Sequence, residues 1–144
     1  MRFLVLNGPN LNLLGHREPE LYGHQTLADI EDELTKEGGG LGVELRFFQS
    51  NHEGELIDAI QQARADCDGI VMNPAGYGHT SVAIRDAILA VAVPMVEVHI
   101  TNLAQREAFR RHTLTGDVAI GQISGFGSYG YVLALNALVQ HLNR

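Results

Sequence analysis

Short runs of β-branched and apolar residues alternate along the chain with longer stretches in which apolar residues recur every three or four positions. The first pattern suits strands buried on both faces, and the second suits helices that lay one stripe on a sheet. Strands are predicted at 2–7, 43–49, 68–73, 94–99 and 118–123, and helices at 26–37, 53–66, 80–91, 103–111 and 129–142. Leu56, Ile57, Ile60 and Ala63 form the stripe of the second helix. Val132, Leu135, Leu138, Val139 and Leu142 form that of the last. The triplet Gly38-Gly39-Gly40 is expected to end the first helix, because glycine is a poor helix former and a good C-terminal cap. Thr80 or Ser81 is placed to cap the third helix.

This alternation predicts a single catalytic domain over residues 1–144, with no linker, repeat or low-complexity segment. The expected architecture is α/β: a flavodoxin-like, doubly wound, five-stranded parallel sheet in the order 2-1-3-4-5, with right-handed crossovers. In such sheets ligands sit beyond the carboxyl ends of the strands. The polar residues cluster there. Asn7, Asn10, Arg17 and Tyr22 follow the first strand, and Gln49, Ser50, Asn51 and His52 the second. Asn73, Tyr77, His79 and Thr80 follow the third, and Glu97, His99, Thr101 and Asn102 close the fourth.

Composition narrows the chemistry. A net charge of −7 argues against nucleic acid or an anionic membrane as partner, while leaving room for an anionic small substrate in an arginine-lined pocket. No apolar run approaches the roughly 20 residues of a membrane span, and the apolar start is too short for a signal-peptide core. With Cys67 the only cysteine there is no internal disulfide, and a cytoplasmic location is the expectation. Lys36 is the only lysine and falls at the end of a predicted surface helix, so a Schiff-base nucleophile is not expected. No HExxH, GxSxG or P-loop spacing occurs, so neither metal nor cofactor is expected. The GxGxxG match at Gly125–Gly130 has only 14 residues after it and reads as a tight turn into the last helix. What remains is proton chemistry by side chains.

Three segments carry it. Residues 7–23 form a connection longer than a strand–helix joint requires, and corners of Pro and Gly predict an ordered lid. Within it an Arg17–Tyr22 pair could yield a usable base, since a guanidinium favours a phenolate whose free pKa is roughly 10. Each alone would be an ordinary packing or surface residue. Glu97 and His99 are two apart on a strand and share a face. A carboxylate there favours the charged imidazole and fixes its tautomer, which suits a general acid, or the pair is simply a satisfied buried one. The amides of Ile100 and Thr101, leading into a helix, could bind a carboxylate. Asn73 ends a buried strand with an amide able to meet a polyhydroxylated ligand.

The runs Leu6–Gly15, Arg17–Pro19, Gln49–Asp58, His79–Ala87 and Glu97–Asn102 together resemble type II 3-dehydroquinate dehydratase over nearly the whole chain. The resemblance implies a hydro-lyase of the shikimate or quinate pathway. Such enzymes convert 3-dehydroquinate to 3-dehydroshikimate by anti elimination through an enolate. It implies Tyr22 as the base with Arg17 beside it, Asn10 holding the water that stabilises the enolate, and His99 as the acid oriented by Glu97. Asn73, His79, Arg110 and the amides of Ile100 and Thr101 would bind substrate. Asp86 would do so across a subunit boundary in a dodecamer of trimers. Gly78 departs from the threonine or serine usual before the histidine, which puts the rigidity of that rim in question. Thr101 stands for a common serine, Gly116-Asp117 for Ser-Pro, and the glycine triplet for helical sequence, which would shorten the first helix. Two other readings stay open: a flavodoxin-like ligand-binding module, and a hydro-lyase acting on another hydroxy-keto acid.

Overall fold

The computed structural model describes residues 1–144. Five parallel strands form one sheet: β1 (Arg2–Asn7), β2 (Glu44–Gln49), β3 (Gly69–Asn73), β4 (Met95–His99) and β5 (Gly121–Ser124). Their order is β2-β1-β3-β4-β5, as predicted. Alternate residues of each strand feed two cores. Phe3, Val5, Val71, Val96 and Val98 face α2 (Leu27–Leu41) and α5 (Tyr129–Leu142). Leu4, Leu6, Ile70, Met72 and Met95 face α3 (Glu53–Asp66) and α4 (Val82–Val91). A short helix, α1 (Pro19–Tyr22), lies within the 7–23 connection expected to form the lid. Leu56, Ile60 and Ala63 are buried on α3, and Val132, Leu135 and Leu138 on α5, so both stripes face the sheet. Ser81 caps α4, its hydroxyl accepting from Ile84 N at 2.9 Å.

Three expectations are corrected. The glycine triplet does not end the first helix: α2 runs through it to Leu41, and Gly42 is the cap, at φ 70°. Gly38 is buried there, and a Cβ on it would lie 3.0 Å from the Val43 carbonyl oxygen. The helix expected over 103–111 is instead two 3-10 turns, Leu103–Gln105 and Ala108–Arg110. That segment has no apolar stripe, since Leu103 is buried and Phe109 is 66% exposed, so no face holds a regular helix on the sheet. Asn102 caps Ala104 N at 3.1 Å, and Arg106 turns extended between the two turns. The strand expected from 118 starts at Gly121, because Gly116–Val118 forms another 3-10 turn. Gly125 and Gly127, both at positive φ, make the tight turn into α5 where the GxGxxG spacing falls.

Candidate active site

The carboxyl ends of β1, β3 and β4 open into a cleft of about 160 Å³ roofed by the lid. Of the residues singled out in the sequence, Asn10, Arg17, Tyr22, Asn73, His79, His99, Ile100, Thr101 and Arg110 all line it. Glu97 sits behind His99, fully buried. Asp86 is exposed on α4 and does not line the cleft of its own chain. Lys36 is exposed on α2, and no lysine lines the cleft. No group of three His, Cys, Asp or Glu side chains is arranged to hold a metal ion.

The base of the cleft is fixed from within the core. Tyr131 of α5 is wholly buried, and burial pushes its phenol far above the ordinary value, so it remains a hydroxyl. That hydroxyl donates to Asn7 Oδ1 at 2.6 Å and accepts from Asn73 Nδ2 at 3.0 Å. Ala75 N donates to Asn73 Oδ1 at 3.1 Å, which leaves one amide N–H of Asn73 for a ligand.

The lid is fastened at its root by Asn51, whose Oδ1 accepts from Asn10 N at 2.9 Å and whose carbonyl accepts from the Tyr77 hydroxyl at 2.9 Å. Asn10 sits in the left-handed region at φ 70°. Further along, the Arg17 guanidinium lies 4.5 Å from the centre of the Tyr22 ring. A second arginine completes the grip: Arg106 Nη1 donates to the Tyr22 hydroxyl at 3.0 Å and to Thr101 Oγ1 at 3.3 Å. Sequence reasoning missed Arg106, because the helix expected over 103–111 gave it no place at the strand rim. The signal was present: it is the first cation after the Glu97–Asn102 strand end.

On the opposite wall, Glu97 Oε2 accepts from His99 Nε2 at 3.0 Å, so the other ring nitrogen is left for a ligand. Burial alone would raise the Glu97 carboxyl. The hydrogen bond and charge of His99, with the hydroxyls of Thr115 and Thr113, outweigh burial and hold it below the usual carboxylate range. Glu97 is therefore a buried carboxylate with a partner on each oxygen. The two threonines were not foreseen. His79 Nδ1 donates to the His112 carbonyl at 2.9 Å, which leaves its Nε2 free to face the cleft. Arg110 Nε is held by both oxygens of Glu107 at 3.1 Å.

The rim around Gly78 is well tied. Leu114 N donates to the Gly78 carbonyl at 2.7 Å, and a Cβ at Gly78 would lie 2.8 Å from Pro74 Cγ. Beyond β4, Gly125 N and Gly127 N bond the carbonyls of His99 and Ile100, and Ser124 Oγ bonds that of Thr101. None of these bonds uses the Ile100 or Thr101 N–H. Those two amides lead into a 3-10 turn, so they would hold an anion without the dipole of a full helix.

The family model described as Dehydroquinase class II matches residues 1–139. A 3-dehydroquinate dehydratase of Synechococcus sp. is 56% identical over 144 residues, covering 100% of this chain and 99% of the relative. One of Gloeobacter violaceus is also 56% identical, covering 100% of this chain and 90% of the relative. The crystal structure of type II dehydroquinase from Butyrivibrio crossotus superposes with a TM-score of 0.94 at 44% identity, covering 96% of this chain and 97% of that one.

Proposed function

This chain belongs to the dehydroquinase class II family, and on that premise we propose that it dehydrates 3-dehydroquinate with Tyr22 as base and His99 as acid. The product is 3-dehydroshikimate, in the shikimate pathway. The family match decides against a mere ligand-binding module and against a different hydroxy-keto acid. The observation that carries the assignment of roles is the opposition within one cleft of a tyrosine gripped by two arginines and a histidine backed by a carboxylate.

Tyr22 removes the C2 proton next to the ketone. Arg106 donates to the hydroxyl oxygen, the atom that carries the charge when Tyr22 acts as base, while Arg17 covers the ring. The electrons move to the ketone oxygen, and a water held by Asn10 meets the enolate there, an oxyanion-hole role. His99 then gives a proton to the C1 hydroxyl, which leaves as water while the enolate re-forms the ketone. Glu97 fixes the His99 tautomer and balances its charge. Asn73, held by Tyr131, positions the departing end, His79 and Arg110 meet ring hydroxyls, and the amides of Ile100 and Thr101 take the carboxylate. Lys36, exposed on α2, offers no route to a Schiff base.

The same reading places the enzyme in the cytoplasm as a homododecamer built from trimers, with neither nucleic acid nor membrane as partner. No helix is long and apolar enough to cross a membrane. In the dodecamer Asp86, exposed on α4, meets the cleft of a neighbouring subunit. Light scattering that returned the mass of a single chain would sink the assembly.

The test of the reaction is the ultraviolet absorbance of the conjugated enone when the purified protein meets 3-dehydroquinate. The rise is expected to survive both EDTA and borohydride. No rise from a folded sample would remove the substrate assignment.

A further inference from the structure

The segment between the last cleft arginines and β5 contributes no residue to the cleft lining, yet it is bonded to Glu97 of β4, to α4 and to the turn after β3. Thr113 Oγ1 donates to Glu97 Oε2 at 2.7 Å and accepts from Gly116 N at 3.0 Å. Thr115 Oγ1 donates to the other oxygen, Glu97 Oε1. Both hydroxyls are buried, Thr115 completely. The strap that carries them is anchored on both sides. Leu114 N bonds the Gly78 carbonyl, while Arg85 of α4 donates to the Leu114 carbonyl at 2.7 Å and to Asp117 at 3.1 Å. A Cβ at Gly78 would meet Pro74 Cγ at 2.8 Å and lie at ordinary contact distance, 3.4 Å, from Thr115 Oγ1, so Thr115 packs directly beside that rim.

We propose that Thr113 and Thr115 are positioning residues for the elimination, a two-hydroxyl clamp that keeps Glu97 ionised and in one rotamer so that His99 is presented as a proton donor. The proposal rests on the assignment of His99 as acid. The clamp acts on chemistry and not on binding, because neither threonine lines the cleft. Without the Thr115 hydroxyl, Glu97 Oε1 is a buried carboxylate oxygen with no donor. The carboxyl then takes up a proton more readily or turns away, and His99 loses the fixed charge behind it.

The experiment pairs Thr115→Val, which keeps shape and loses the hydroxyl, with Thr115→Ser, which keeps the hydroxyl. Thr115→Val is expected to lower kcat about ten- to hundredfold, the effect of losing one hydrogen bond to a charged group, with KM changed less than threefold. The acid limb of its kcat–pH profile should move to higher pH by about one unit. Its acid-unfolding midpoint should move the same way. Thr115→Ser should recover most of kcat. The other titratable or charged groups facing His99 are unchanged in both variants: His79 on the β3 rim, Tyr22 and Arg17 on the lid, and Arg106 and Arg110 beyond β4. His112, Asp117 and Arg85, at the ends of the strap, are unchanged too. In a Glu97→Gln background Thr115→Val should cost nothing further. The clamp is overturned if Thr115→Val moves neither the acid limb nor the unfolding midpoint, or if Thr115→Ser is as impaired as Thr115→Val. Near-native kcat in His99→Ala would overturn the assignment of the acid instead, and the unfolding midpoints would still judge the clamp.

Discussion

Tyr22 is the residue on which the reading turns, and its two arginines do different things. Arg17 lies 4.5 Å from the ring centre and makes no bond to the hydroxyl, whereas Arg106, 5.5 Å from the ring centre, donates to the hydroxyl oxygen. A donor aimed at the atom where charge develops contributes about 10²–10³ in kcat. Arg106→Gln is therefore expected to lower kcat by that factor, and Arg106→Lys to recover only part of it, since a lysine lacks the fork that reaches Tyr22 and Thr101 together. Steady-state kinetics decide the point: a kcat within threefold of native in Arg106→Gln would make the contact incidental. Tyr22→Phe should abolish elimination while calorimetry finds substrate binding nearly unchanged. Behind the cleft, Tyr131→Phe strips the hydroxyl that joins Asn7 to Asn73, leaving a buried acceptor and a buried donor unpaired. That costs about 1–3 kcal/mol of stability. Urea denaturation of the two proteins measures it, and an unchanged midpoint would show that the bridge is dispensable.

At the scale of elements, α2 tests whether the glycine triplet is a packing requirement or a mere weakness. Gly39 and Gly40 face open space inside a helix, so Gly39→Ala gains about 0.5–1 kcal/mol by propensity alone. In a domain near this size that raises Tm by roughly 1–4 °C. Gly38→Ala must push its methyl to 3.0 Å from the Val43 carbonyl and 3.2 Å from Leu45 Cδ1, and should gain nothing or lose. Equal gains at 38 and 39 by calorimetry would refute that distinction. The contrast also explains what the sequence could and could not disclose. Strands buried on both faces and helices with an apolar stripe are local patterns, so the sheet order and four of the five helices were legible. The triplet was misread because its role depends on Leu45, which lies across the α2–β2 joint. The 103–111 helix was misread because charged residues there point to partners, not to a regular face. Glu97 and His99 were visible as strand neighbours, and Tyr22 with Arg17 as lid residues. Thr113, Thr115 and Tyr131 were invisible because each meets its partner from another element, and Arg106, though the first cation after the strand end, meets Tyr22 from 84 residues away.

For the whole molecule the response to acid follows from how its carboxylates are held. The Arg46 hydrogen bond lowers Asp66. Asp117 is lowered by Arg85 and His112 against partial desolvation, and Glu97 by His99, Thr115 and Thr113 against burial. Each carboxylate held below its unfolded value contributes stability that is fully present above that value and is lost as the pH falls through the folded one. Glu31 runs the other way, raised by burial and by Asp32. Stability should therefore be flat above about pH 5 and fall below about pH 4.5, near the unfolded carboxylate values. The groups differ in exposure, and salt separates them. The Asp66 and Asp117 pairs are partly exposed and are largely screened at 1 M salt, where the Debye length is about 3 Å. Glu97 is wholly buried among its partners and is not. Urea midpoints taken from pH 7 to pH 3 in 1 M sodium chloride should keep a decline in the native protein, and Glu97→Gln should flatten most of it. The slope is the readout, because the substitution also shifts stability uniformly. Equal slopes for the two proteins in high salt would mean that the acid response of the fold lies in its surface ion pairs and not in the carboxylate behind His99.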